Sequence, residues 1–110
     1  MTLILERFVK NLQSIEYPKE KTSWNVAGIL KGQNAFYRFD VREMFALQDG
    51  TPAKSGSLST KAEKVVIETK KEWLIFDIEE LHKYIRKNKI NKVYINDLLK
   101  KLEWNIIIKK

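Results

Sequence analysis

Ala35-Phe36-Tyr37-Arg38-Phe39-Asp40-Val41-Arg42-Glu43-Met44 is the stretch on which the fold turns. Phe39 and Val41 alternate with Arg38, Asp40 and Arg42. That two-residue period marks a strand with one apolar and one charged face. Just upstream, Lys31-Gly32-Gln33-Asn34 has hairpin-turn chemistry, and before it Trp24 to Leu30 reads as a strand. The two segments are expected to pair as an antiparallel hairpin, because the apolar alternation needs a covered sheet face.

Further upstream, Thr2 to about Ser14 reads as a helix, with Leu5, Phe8, Val9 and Leu12 at i, i+3, i+4 and i+7. Glu6 lies on a different stripe, and Pro18 separates this helix from the hairpin. Downstream, Gln48 to Ser57 is dense in turn formers and reads as a surface loop. Lys64 to Glu68 and Trp73 to Phe76 follow as strands joined through Thr69-Lys70-Lys71. Asp77 opens a helix with a capping box, its carboxylate on the first turn and Glu80 reaching back. Ile78, Leu81 and Ile85 form the buried stripe of that helix. Lys92 to Ile95 reads as a short strand, Asn96 or Asp97 as the cap of a last helix bearing Leu98, Leu99 and Leu102, and Trp104 to Ile108 as a closing strand. The fold class is α/β: one domain over residues 1–110, a mixed central sheet flanked by helices.

The chain has 110 residues, 44% hydrophobic and 32% charged, which fits one globular domain with a real core. Its longest apolar runs fall far short of the ~20 residues a spanning helix needs. Glu6, Arg7 and Lys10 interrupt any secretory apolar segment, so the expected setting is cytoplasmic. With no cysteine there are no disulfides, zinc ribbons, iron–sulfur clusters or thiol nucleophiles. The single histidine, His82, excludes sites needing two imidazoles; with no Ser or Cys motif beside it, it reads as a surface or interface residue. Walker loops, dinucleotide turns and EF-hand spacings do not occur. The net charge of +7 favours phosphate-rich partners through counterion release. The same excess fits a solvated lysine surface, since Lys outnumbers Arg 17 to 4. Trp24, Trp73 and Trp104 each adjoin an apolar strand run and read as core or boundary residues before base-stacking platforms.

Taken in order, Glu6 on the first helix, Asn25 in the hairpin, Asp40-Val41-Arg42, and Gly56-Ser57-Leu58-Ser59-Thr60-Lys61-Ala62-Glu63 ahead of the next strand resemble the PD-(D/E)xK nuclease superfamily. The likeness is to its small phage-type, Holliday-junction resolvase-like endonucleases. Val93-Tyr94-Ile95-Asn96-Asp97-Leu98-Leu99 looks like that group's final strand and helix. The resemblance implies a restriction-endonuclease-like fold and Mg²⁺-dependent phosphodiester cleavage of duplex or branched DNA, by analogy as a homodimer. It makes Glu6, Asp40 and Arg42 catalytic, Asn25 and Asp40 metal ligands, and Arg38, Arg42 and Lys61 nucleic-acid contacts. Mg²⁺ takes hard oxygen ligands, polarises the phosphate and generates hydroxide, which is why paired carboxylates belong in such a site.

Two positions depart from that pattern. Asn25 stands where an Asp is expected, so its oxygen carries no charge, and Arg42 stands for a lysine. A guanidinium clamps phosphate bidentately but cannot act as a base. Two other readings therefore stand beside the nuclease: a catalytically inactive DNA- or protein-binding module of the same fold, and a small interaction protein with no nucleic-acid role.

Overall fold

In the computed structural model, which describes residues 3–19, 24–43, 53–54, 61–89, 92–93 and 95–110, the alternating stretch is a strand within one six-stranded sheet. The chain begins with α1 (Leu3–Phe8) and a tight 3₁₀ turn (Val9–Asn11), then β1 (Leu12–Glu16), β2 (Val26–Leu30) and β3 (Phe36–Glu43). After β4 (Ala53–Lys54) come β5 (Lys64–Glu68), β6 (Glu72–Asp77), α2 (Ile78–Asn88), β7 (Lys92–Val93), α3 (Ile95–Lys101) and β8 (Asn105–Lys109). The sheet order is β1-β2-β3-β5-β6-β8, and β4 pairs with β7 in a separate ribbon. Only β3 and β5 run parallel among these pairs, with Phe39 beside Lys64 and Val41 beside Val66.

The expected hairpin is present. Val26 faces Phe39 and Ile29 faces Phe36, antiparallel, and Gln33 N–H donates to Leu30 O at 2.8 Å to close the turn. Gly32 sits there at φ 87°, a conformation that costs a side-chain-bearing residue 1–2 kcal/mol or so.

Strand alternation sorts the core onto the two faces of the sheet. On one face Phe39, Val41, Val66, Trp73 and Ile75 pack against Ile4 and Phe8 of α1. On the other, Val65, Ile67, Leu74 and Phe76 pack against Ile78 and Leu81 of α2 and Leu98 of α3. Helices thus cover both faces, as an α/β fold requires.

Several boundaries differ from expectation. The first helix stops at Phe8, and Leu12 to Ser14 belong to β1. Leu12 turns extended at φ −116°, ψ 153° and faces Leu30 across the β1–β2 ladder. Its burial satisfies an i+4 helical stripe and a strand equally well, so periodicity alone could not separate them. Trp24 and Asn25 precede β2, and the short Lys92 strand joins β4, not the main sheet. Ile95 opens α3, which puts Asn96 and Asp97 inside its first turn. The closing strand is shifted by one residue, to Asn105–Lys109. Met44, Tyr94, the Gly56–Thr60 part of the motif and most of the Gln48–Ser57 loop lie outside the described residues.

Asp77 does cap α2, accepting from Glu80 N–H at 2.9 Å. The reciprocal half of the capping box is replaced: Glu80 Oε1 accepts instead from the N–H groups of Glu103 and Trp104, the latter at 3.3 Å. This carboxylate ties the first turn of α2 to the entry of β8.

Candidate functional site

Asp40 and Arg42 share one strand face two residues apart, which is the spacing that lets a carboxylate and a fork meet. Arg42 Nε and Nη2 donate to Asp40 Oδ1 and Oδ2 at 3.1 and 2.8 Å. Asp40 is 5% exposed, and both of its oxygens are engaged by this bidentate pair. Arg38, on the same face, is held in the same way by Glu63. Its backbone N–H donates to Glu63 Oε1 at 2.9 Å and its Nε to Oε2 at 2.7 Å, while Glu63 N–H returns a bond to Arg38 O. Burial alone would raise the Glu63 carboxyl; the hydrogen bonds and charge of Arg38 hold it below its ordinary value. The hydrogen bond from Glu63 in turn raises Arg38.

Asn25 reaches this face as a structural clamp. Its N–H donates to Phe39 O at 2.9 Å, and its Oδ1 accepts from Val41 N–H at 2.6 Å. The side-chain amide thereby extends the β2–β3 ladder past the end of β2, gripping β3 on both sides of Asp40. The oxygen that a metal would need already accepts a backbone hydrogen bond through one of its two lone pairs.

Glu6 is elsewhere. It is exposed on α1, and α1 packs on the Phe39–Val41 face, opposite to the face that carries Asp40. Lys61 is exposed two residues before Glu63, at the Arg38 end of the strand. The structure therefore brings Asn25, Asp40 and Arg42 together, sets Arg38 beside them, and leaves Glu6 across the sheet. Among the described residues no group of three or more His, Asp or Glu side chains is placed to hold a metal ion.

Sequence reasoning missed two buried ionic centres on the α1 face. Glu68, 1% exposed, accepts from Arg7 Nε and Nη2 at 2.9 and 2.8 Å and from Lys110 Nζ at 2.9 Å. The Arg7 bonds hold its carboxyl below the ordinary range. Lys64, 5% exposed, donates to Asp77 Oδ1 at 2.7 Å, with its ammonium 3.7 Å from the Trp104 ring centroid and 4.4 Å from that of Tyr37. Burial would raise Asp77, but the bonds from Lys64 and Glu80 N–H hold it low. A charged residue at an inward-facing strand position was the signal in both cases.

An open cleft of about 320 Å³ lies between the start of β5 and the flank of α2, lined by Glu63, Asp77, Glu79, His82 and Arg86 among others. Arg38 and Lys64 already neutralise two of its carboxylates. At the opposite end of the strands, their directions gather the β5–β6 turn and the close of β8. Lys70, Lys71 and Lys109 are exposed there, and Arg86, which also borders the cleft, Lys87 and Lys89 are exposed in and just after the last turn of α2. Among the described residues, no carboxylate pairs with these six cations.

No helix among the described residues is long and apolar enough to cross a membrane. No family model, curated protein or solved structure matches the chain.

Proposed function

We propose that this chain is a nucleic-acid-binding module resembling the PD-(D/E)xK nucleases, one that holds duplex or branched DNA without cleaving it. The observation that carries this reading is how charge is partitioned. The cations that the family motif would aim at phosphate, Arg38 and Arg42, are each occupied by a carboxylate. The exposed cations at the β5–β6 turn, the β8 end and the last turn of α2 have no such partner among the described residues. A closed Asp40–Arg42 pair offers neither an open oxygen set for Mg²⁺ nor a free base, and Glu6 lies across the sheet from it. Lysines gathered at one end of the strands retain what backbone binding needs: positive charge able to displace condensed counterions.

The test is DNA binding by fluorescence anisotropy across a salt series, with duplex and four-way-junction probes. The log–log slope should fall by about 0.9 for each phosphate that is no longer neutralised. Lys70→Glu with Lys71→Glu should flatten it by the equivalent of about two phosphates and weaken both probes alike. Arg42→Ala should leave the slope near the wild-type value. Absence of binding at low salt would favour the small interaction protein with no nucleic-acid role, and a slope that responds to Arg42 and not to the strand-end lysines would return the motif face to the centre.

A further inference from the structure

The two edges of the sheet are built differently. β1 is blunted: its register with β2 shifts between Gln13 and Glu16, Ser14 stands at φ 54°, and Glu16 is exposed at its end. A bulge, a left-handed residue and a charge are the devices by which edge strands avoid pairing. β8 has no such protection along its middle. It is a regular, β-branched run, Asn105-Ile106-Ile107-Ile108-Lys109, and Ile107 is 47% exposed.

The backbone of β8 can be followed group by group. Lys110 N–H donates to Lys71 O, which makes Glu72–Lys109 a non-hydrogen-bonded pair. Alternation then assigns the N–H and C=O groups of Ile106 and Ile108 to β6 and turns those of Asn105, Ile107 and Lys109 outward. These three residues are symmetric about Ile107.

We infer that β8 is a self-pairing edge that joins a second copy of this chain in an antiparallel, two-fold arrangement centred on Ile107. In that register Ile107 faces its own copy, Ile106 faces Ile108, and Lys109 faces Asn105. The outward groups then form about six backbone hydrogen bonds. The match includes charge: every lysine of the strand meets an amide and none meets another lysine, whereas like charges directly opposite would oppose the pairing. Cross-strand pairs of β-branched residues are the favourable kind. A two-fold contact of this sort is isologous and closes at two copies, so it yields a dimer and not a fibre. The inference stands apart from the nucleic-acid reading, since it rests on the β8 backbone and Ile107, which the Lys70 and Lys71 variants leave in place.

The experiment is the mass of the nucleic-acid-free full chain by light scattering over a concentration series. A dimer that dissociates on dilution is expected. Ile107→Pro removes one outward N–H while leaving the β6 ladder whole, a substitution edge strands tolerate. Ile107→Lys sets two like charges face to face. Each variant should weaken association at least about tenfold, with the far-ultraviolet circular dichroism of the wild type. Because the chain has no cysteine of its own, Ile107→Cys supplies a single reporter. Mild oxidation should link it to its copy, whereas Gln13→Cys on the blunted edge should stay unlinked. A monomer at every concentration, a dimer indifferent to Ile107→Lys, or equal linking through Gln13→Cys would overturn the proposal.

Discussion

Replacing Arg7 by Met should destabilise this protein more than neutralising its partner Glu68, although the two changes remove the same ion pair. Arg7 and Glu68 lie 61 residues apart, and the pair joins α1 to the central strand β5. The Glu68 side chain is 2% exposed, while that of Arg7 is 44% exposed and that of Lys110 32%. Arg7→Met keeps the stem but leaves the buried carboxylate to Lys110. Breaking a fully buried pair costs about 3–5 kcal/mol; Lys110 stays in place here, so the expectation is about 2–3 kcal/mol. Glu68→Gln leaves two cations that can turn to water, and about 1–2 kcal/mol is expected. The double change Arg7→Met with Glu68→Met should recover most of the loss, because a well-packed apolar pair avoids the desolvation altogether. Urea unfolding at neutral pH measures all four proteins. In acid the ordering should collapse. The Glu68 carboxyl titrates below its ordinary value in the folded state, so its contribution is full above the unfolded pKa and is lost as pH falls through the folded one. Glu68→Gln costing as much as Arg7→Met, or a gap between them that persists in acid, would refute this account of the pair.

Asp77→Ala should cost about 2–4 kcal/mol in urea unfolding, since it removes the cap of α2 and strands the buried Lys64 ammonium against two rings; Lys64→Met in the same background should return part of that loss. Gly28→Ala should destabilise by about 1–3 kcal/mol, because a Cβ there would stand 2.9 Å from Gln13 O and 3.3 Å from Leu12 Cβ; an unchanged midpoint would mean that β1 moves aside freely. Wild-type protein should nick neither plasmid nor a four-way junction in Mg²⁺ or Mn²⁺, and cleavage abolished by Asp40→Ala would show that the Asp40–Arg42 pair opens to admit a metal. If the proposed nuclease resemblance holds, Asn25→Asp with Arg42→Lys should raise cleavage in that assay, by restoring one carboxylate and freeing another from a rigid fork.

The hairpin was legible because Phe39 and Val41 alternate with charged residues and its turn carries Gly32, and the β5–β6 pair because Val65-Val66-Ile67 and Trp73-Leu74-Ile75-Phe76 are short apolar runs joined through a turn at Thr69. Thr69 illustrates the local logic: its Oγ1 both donates to Glu72 O and accepts from Glu72 N–H. β1 was hidden because Leu12 fits a helical stripe, and only the ladder to Leu30, distant in sequence, pulls it out of the helix. At the site, the hairpin sets Asn25 against Val41, between Asp40 and Arg42, because its register follows from the turn. Nothing in the sequence order says which side of the sheet α1 covers, so Glu6 could not be placed. Nor does spacing tell whether a carboxylate two residues from an arginine faces water, a metal or that arginine.

The parallel β3–β5 pairing has a kinetic consequence. It divides the sheet into two antiparallel halves, β1–β2–β3 and β5–β6–β8, that meet along one seam. Arg38 and Glu63, which meet at one end of that seam, are 25 residues apart, whereas the β5–β6 turn spans Thr69 to Lys71. Closing the longer loop costs about 2 kcal/mol more in chain entropy. The core between the sheet and α2–α3 is drawn wholly from residues after that crossing, so the second half can assemble on its own account. The first half cannot: its apolar residues are completed by Phe8, whose ring lies 5.5 Å from Phe39 on one side of the seam and 5.3 Å from Trp73 on the other. Phe8 acts as a rivet through both halves. Shortening it to Ala should let amides of β1–β3 exchange with solvent by a partial opening, at lower free energy than those of β5 and β6.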